Sequence, residues 1–153
     1  MDAERVLTSV AQILRAGGER RVTALRVAES IRSLGGFRWV GLYDVLDREI
    51  AVIAWSGPSA PAHPRFARDQ GLTGAAVRDG VPVVVQDVTA DSRYLTTLSG
   101  TRAEAIFPVR RVVDSAIVGT LDVESDRVNA FSDDDRRILE SCAHAIAPLW
   151  RTA

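Results

Sequence analysis

Three acids set among β-forming residues are the side chains of this sequence best placed to do chemistry. Asp122 and Glu124 stand in the run Ala-Ile-Val-Gly-Thr-Leu-Asp-Val-Glu-Ser, and Glu104 opens the run before it, Glu-Ala-Ile-Phe-Pro-Val-Arg-Arg. Side chains alternate along a strand, so Asp122 and Glu124 share a face. Acids are depleted from strands and costly to bury without a partner. Three of them near one sheet region would suit a cation, an ammonium group in particular. The alternative is that all three sit at strand ends in water, the usual place for these residue types.

Other reactive side chains offer less. All 19 cationic residues are arginine, which removes a Schiff-base lysine and a phosphate-loop lysine from consideration. The single cysteine, Cys142, excludes an intrachain disulfide and a multi-cysteine metal site. Cys142 and His144 lie two apart on an amphipathic helical stretch and point to different sides. A buried structural cysteine beside an exposed histidine is expected. His63, alone in a proline-rich loop, is expected to be solvated. Arg110-Arg111 and Arg136-Arg137 read as solvated faces or ion-pair partners. A formal net charge of −1 gives no basic field for nucleic acid. The N-terminus lacks the layout of a signal peptide, and no apolar run is long enough to span a bilayer. The expectation is a cytoplasmic protein with no cofactor, metal, nucleic acid or membrane partner.

These residues must be positioned by a mixed set of elements. With 153 residues, 46% apolar and 25% charged, one globular domain over 1–153 is expected. Val6, Leu7, Val10 and Leu14 recur at helical spacing before Gly17-Gly18. Val22, Leu25, Ala28, Ile31 and Leu34 form a second stripe, closed by Gly35-Gly36. Residues 37–45 and 49–55 read as strands joined by a hairpin turn at Leu46-Asp47-Arg48. Residues 56–70 read as a long loop, a kind of segment that is often functional. A short helix over 75–78, a turn at Asp79-Gly80 and a short buried strand over 81–86 follow, then an irregular stretch over 88–103. After the two acidic strands, Ser132 is a good N-cap, and Asp133-Asp134-Asp135 suits the positive end of a helix dipole. Ile138, Leu139, Cys142, Ile146 and Leu149 stripe that last helix. Apolar residues in the first and last helices, ending in Ala147-Pro148-Leu149-Trp150, predict a homodimer through these terminal helices.

The order of elements, the Leu-Asp-Val-Glu-Ser strand and the Phe-Ser-Asp-Asp-Asp helix start resemble a GAF domain, over roughly residue 5 to the end. The resemblance implies an α/β (α+β) fold, with a central antiparallel sheet, helices on one face and a ligand pocket on the other. More narrowly, the chain is similar to the GAF enzymes that reduce free methionine-(R)-sulfoxide. Trp39 and Tyr43 match their Trp-x-x-x-Tyr strand. Gly71-Leu72-Thr73-Gly74 matches their Gly-Val-Cys-Gly loop, and Gln86-Asp87-Val88 matches their Ala-Asp-Val strand end. Ala103 to Pro108 matches their Ser-Glu-Ile-Val-Val-Pro strand, and Leu121 to Ser125 matches Leu-Asp-Ile-Asp-Ser. The resemblance implies that Glu104, Asp122 and Glu124 hold a ligand's ammonium and that Trp39 and Tyr43 border the pocket. Glu124 carries one methylene more than the family residue.

The departures fall on the reactive groups. Sulfoxide reduction needs an attacking thiolate and a resolving thiol. The resemblance puts Thr73 and Thr97 at cysteine positions, and an upstream cysteine position falls near His63. The sequence shows no acid or base to activate either threonine. The expectation is a non-catalytic small-molecule-binding or sensor domain for an amino-acid-like ligand, with Trp39, Tyr43, Thr73, Thr97, Glu104, Asp122 and Glu124 at its site. Two alternatives stay open: a methionine-(R)-sulfoxide reductase-like enzyme with altered chemistry, and a structural or interaction module.

Overall fold

The computed structural model describes residues 1–151. Six strands form one antiparallel sheet in the order β3-β2-β1-β6-β5-β4. They are β1 (Trp39–Val45), β2 (Glu49–Ser56), β3 (Arg65–Ala67), β4 (Val83–Val85), β5 (Ala103–Arg110) and β6 (Ile117–Ser125). The helices are α1 (Ala3–Ala16), α2 (Arg20–Gly35), α3 (Gly71–Asp79) and α4 (Asp133–Ala145). The mixed α/β class and the antiparallel sheet are those expected. The β1–β2 hairpin turns at residues 46–48, as read from the sequence.

The helix ends follow their capping residues. Asp2 accepts from the Arg5 N–H at 3.1 Å to start α1. Ser132 and Asp135 form a reciprocal capping box at α4. Gly36 closes α2 at φ 68°, a left-handed conformation that glycine adopts without a side-chain clash.

One face of the sheet carries the main core. Val40, Leu42, Ala105, Phe107, Leu121 and Val123 pack there against Val6, Val10, Val27, Ile31, Leu139 and Cys142 from α1, α2 and α4. The inward face of α2 differs from the expected stripe. Ala24, Val27, Ala28 and Ile31 are buried, while Val22 and Leu25 are 55% and 38% exposed. The observed set keeps i, i+3, i+4, i+7 spacing and shares Ala28 and Ile31 with the expected stripe, with Ala24 and Val27 in place of Val22 and Leu25.

Three further expectations change. The segment 56–70 contains β3, which pairs with β2 and brings Phe66 across from Ile50. The Gly71–Gly74 stretch is the opening turn of α3, and Gly71 there has φ 71°. Strand β4 is shorter than read and half-buried. At the C-terminus Trp150 is buried. Its indole donates to Asp44 at 2.8 Å, and Arg20 donates to the same carboxylate at 3.1 and 2.7 Å and to the Leu149 carbonyl at 2.7 Å. The apolar terminus that motivated a dimer contact is therefore turned onto its own sheet. Among the described residues, no helix is long and apolar enough to cross a membrane.

Candidate functional site

Strand register gathers the acids on the sheet face away from the main core. Glu104 lies opposite Glu124, and Ile106 opposite Asp122, across β5 and β6. On the other side of β6, Trp39 lies opposite Glu124, Gly41 opposite Asp122 and Tyr43 opposite Thr120. Partners in register share a face, so the three acids, Trp39, Tyr43 and Thr120 all point the same way. Helix α3 packs over this face against β4, β5 and β6.

The acids are not at strand ends in water. Glu104 and Asp122 are each 3% exposed, and Glu124 is 0% exposed. Glycine makes room beside them: a Cβ at Gly41 would stand 2.3 Å from the Trp39 ring.

Each carboxyl has its own surroundings. Asp122 accepts from the hydroxyls of Thr73 and Thr120, each at 2.7 Å. Burial still pushes it up to about 6, against those two hydrogen bonds. Glu124 accepts from the Thr101 hydroxyl at 2.6 Å on Oε1; the buried Oε2 has no partner within hydrogen-bonding geometry, although the nearby Thr97 hydroxyl pulls against the rise of the carboxyl. Burial is the main cause that pushes it up to about 7, opposed first by the Thr101 hydrogen bond. Glu104 lies well above the usual carboxylate range, through burial first and then the charges of Glu124 and Asp122. The same burial and the same three acids raise the Tyr43 phenol.

No arginine hydrogen-bonds to these acids among the described residues. Arg110 donates to the carbonyls of Ser115 and Gly80, and Arg111 pairs with Asp114. Arg38 donates to the Ser99 carbonyl and exerts only a minor pull on Glu124.

A nearly closed cavity of about 10 Å³ sits over the acids, lined by Tyr43, His63, Phe66, Gly71, Leu72, Thr73, Leu95, Thr97, Glu104 and Asp122. That is space for about one water. Of the seven site residues read from the sequence, five reach its wall: Tyr43, Thr73, Thr97, Glu104 and Asp122. Trp39 does not. It is fully buried and donates its indole N–H to the Ser59 carbonyl at 3.2 Å. Its ring centroid is 6.3 Å from that of Tyr43, whose wall position it backs. Glu124 also lies behind the wall.

The sequence reading missed Phe66 and Leu95 and placed His63 only near a cysteine position of the family, because nothing local shows which residues fold over a sheet. His63 is exposed, as expected, and also stands at the cavity mouth. It missed the Thr101 and Thr120 hydroxyls too. Period-two spacing from Asp122 could have found Thr120; no sequence signal marks Thr101. The partner of Thr73, Asp122, was likewise hidden until the tertiary fold placed α3 on β6.

The arrangement is a set of acceptors with few donors. It can recognise a cation bearing N–H groups, and it contains no thiol. Cys142 lies in the core on the opposite face of the sheet, where burial pushes its thiol up to about 12. Among the described residues there is no cluster of His, Cys, Asp and Glu able to hold a metal ion.

Known proteins share this fold and, at lower identity, this sequence. A structure of free methionine-R-sulfoxide reductase from Neisseria meningitidis in complex with its substrate superposes with a TM-score of 0.87 at 25% identity, covering 97% of this chain and 87% of that one. The type II free methionine-R-sulfoxide reductase from Thermoplasma acidophilum gives 0.79 at 26% identity, covering 92% and 94%. GAF domain-containing protein A of Dictyostelium discoideum is 26% identical over 137 residues, which is 89% of this chain and 84% of that protein. Residues 19–150 match the sequence model of the GAF domain, and the chain belongs to the GAF domain family.

Proposed function

We propose that this GAF domain binds a small amino-acid-like ligand through its primary ammonium and does not transform it. The observation that carries this reading is the buried acid group, Glu104 and Asp122 on the wall of one cavity and Glu124 just behind it, with no protein cation hydrogen-bonded to any of the three among the described residues. A buried carboxylate needs a partner, and an ammonium supplies both charge and donors. Similarity to reductases, one of them solved with its substrate, supports a ligand of the same class. The cavity is smaller than such a ligand, so binding requires the segments carrying His63 and Leu95 to part from the sheet.

The absence of turnover rests on Thr73 and Thr97. The Thr73 hydroxyl is paired with Asp122, yet an alcohol remains a far poorer nucleophile toward sulfur than a thiolate. The test is a thermal-shift screen of L-amino acids and their oxidised forms, L-methionine-(R)-sulfoxide among them, on wild type and on Glu104→Gln/Asp122→Asn. Each charge-assisted hydrogen bond contributes roughly 1.5–3 kcal/mol, so loss of the acids weakens binding more than about tenfold. The reading fails if no ammonium-bearing compound shifts wild type, or if the shift survives the double substitution. A parallel assay of sulfoxide reduction with thioredoxin and its reductase is expected to show no turnover. A rate on the order of 1 per second would show catalysis.

A further inference from the structure

We propose that the three-acid site exchanges a proton for the cationic group of its ligand, so that this domain responds to ligand and pH together. The inference rests on the ammonium reading above and adds the counter-charge that the ligand replaces.

The cluster is short of donors in an uneven way. Asp122 has a hydroxyl donor on each oxygen, from Thr73 and Thr120. Both of its oxygens are held in a form that suits the carboxylate. The two glutamates are not so provided. Glu124 Oε2 is buried with no partner, and Glu104 is 3% exposed with no hydrogen bond among the described residues. They stand directly opposite each other across β5 and β6. Side chains so placed have Cβ atoms about 4.5–5.5 Å apart, and like charges there are destabilising. With one proton between them, the pair carries a single negative charge and gains the donor it lacks.

No other group facing the site supplies that charge. Tyr43 from β1 and Tyr94 from the segment before β5 are neutral phenols with raised proton affinity. Arg38, just before β1, donates one guanidinium nitrogen to the Ser99 carbonyl, leaves its buried Nε without a partner and makes no hydrogen bond to the acids, acting on Glu124 only weakly. Helix α3 contributes Leu72 and Thr73, and β4 contributes Val85 opposite Glu104. His63 is at the mouth, in solvent. The upward displacement of the glutamates, Glu124 to about 7, agrees with a retained proton near neutrality.

The exchange balances. One carboxyl O–H ionises, its proton goes to solvent, and the ligand's ammonium takes its place as charge and donor. Protonated sites are unavailable to the ligand, so binding tightens as pH rises and levels once the pair is ionised. For one proton the slope is about tenfold per pH unit below that point. His63→Gln is the control at the mouth: a slope set by the glutamates survives it.

Two measurements test this. The first follows side-chain carboxyl ¹³C shifts of the ligand-free protein against pH. A glutamate carboxyl still protonated at about pH 6, and missing in Glu104→Gln or Glu124→Gln, is expected. All three acids fully ionised by about pH 5 would overturn the proposal. The second is calorimetry with L-methionine-(R)-sulfoxide as the probe, in two buffers of different ionisation heat. Release of about one proton at about pH 6, with the affinity slope above, is expected. Binding with no proton release and no slope overturns the exchange and leaves the ammonium reading standing. No binding at any pH removes the ammonium reading for this probe, and the exchange with it, whatever the carboxyl titration shows.

Discussion

Replacing Glu124 by glutamine should stabilise the ligand-free protein, and only at neutral to alkaline pH. Glu124 is 0% exposed, with one oxygen held by Thr101 and the other unpartnered. Its carboxyl is pushed from 4.5 up to about 7 by folding. A group whose folded pKa is raised contributes stability that is whole below its unfolded pKa and lost as pH rises through its folded pKa. Ionisation of Glu124 therefore favours the unfolded chain progressively from about pH 4.5 to about pH 7. At 1.36 kcal/mol per unit, the penalty grows by about 2.5 kcal/mol between pH 5 and pH 8. Glutamine removes that growth. Any fixed cost of its amide is the same at both pH values and cancels in the difference. The gain includes relief of Glu104, which the charge of Glu124 also displaces upward. Urea unfolding of wild type and Glu124→Gln at about pH 5 and about pH 8 measures it. The advantage of the variant is expected to be larger at the higher pH by about 2.5 kcal/mol. A stability difference between the two proteins that is the same at both pH values, within about 0.5 kcal/mol, would refute the reasoning.

Two other substitutions probe the frame around the site. A Cβ at Gly74 would stand 2.5 Å from the Asp69 carbonyl carbon and 3.0 Å from the Arg68 oxygen, both backbone. Gly74→Ala should cost about 1–3 kcal/mol as overpacking and pull Thr73 from Asp122, a loss readable in urea unfolding and in ligand-induced thermal shift. Asp44→Ala leaves the Trp150 indole and the Arg20 guanidinium without their shared acceptor. It should destabilise by about 2 kcal/mol and raise tryptophan quenching by acrylamide.

The sequence by itself determined the frame. Ser132 marked the start of the last helix and glycine pairs the ends of the first two, period-two alternation put Asp122 and Glu124 on one face, and hydrophobic runs marked β1, β2, β5 and β6. These are local signals, each read within one element. The resemblance to GAF domains was legible for the same reason: it lies in the order of elements and in short runs within single strands, one loop and one helix start. The sequence did not decide the rest. Whether three acids face water or a closed pocket depends on the cover laid over β5 and β6 by α3, β3 and the segment before β5. Those pieces are brought together by pairings and contacts far apart in the chain, such as Ala62 N–H to the Thr97 carbonyl at 2.8 Å. The same dependence explains the misplaced details. Val22 and Leu25 looked like core, but the helix faces the sheet with Ala24 and Val27 instead. Trp150 looked like an exposed terminus, but Asp44, 106 residues earlier in the chain, accepts its indole N–H. Tertiary structure alone supplied the missing facts about the acids: their burial, the hydroxyl partners of Asp122 and the unpartnered oxygen of Glu124. Desolvation, the physical force that makes them a candidate site, acts only on groups that the fold has already enclosed.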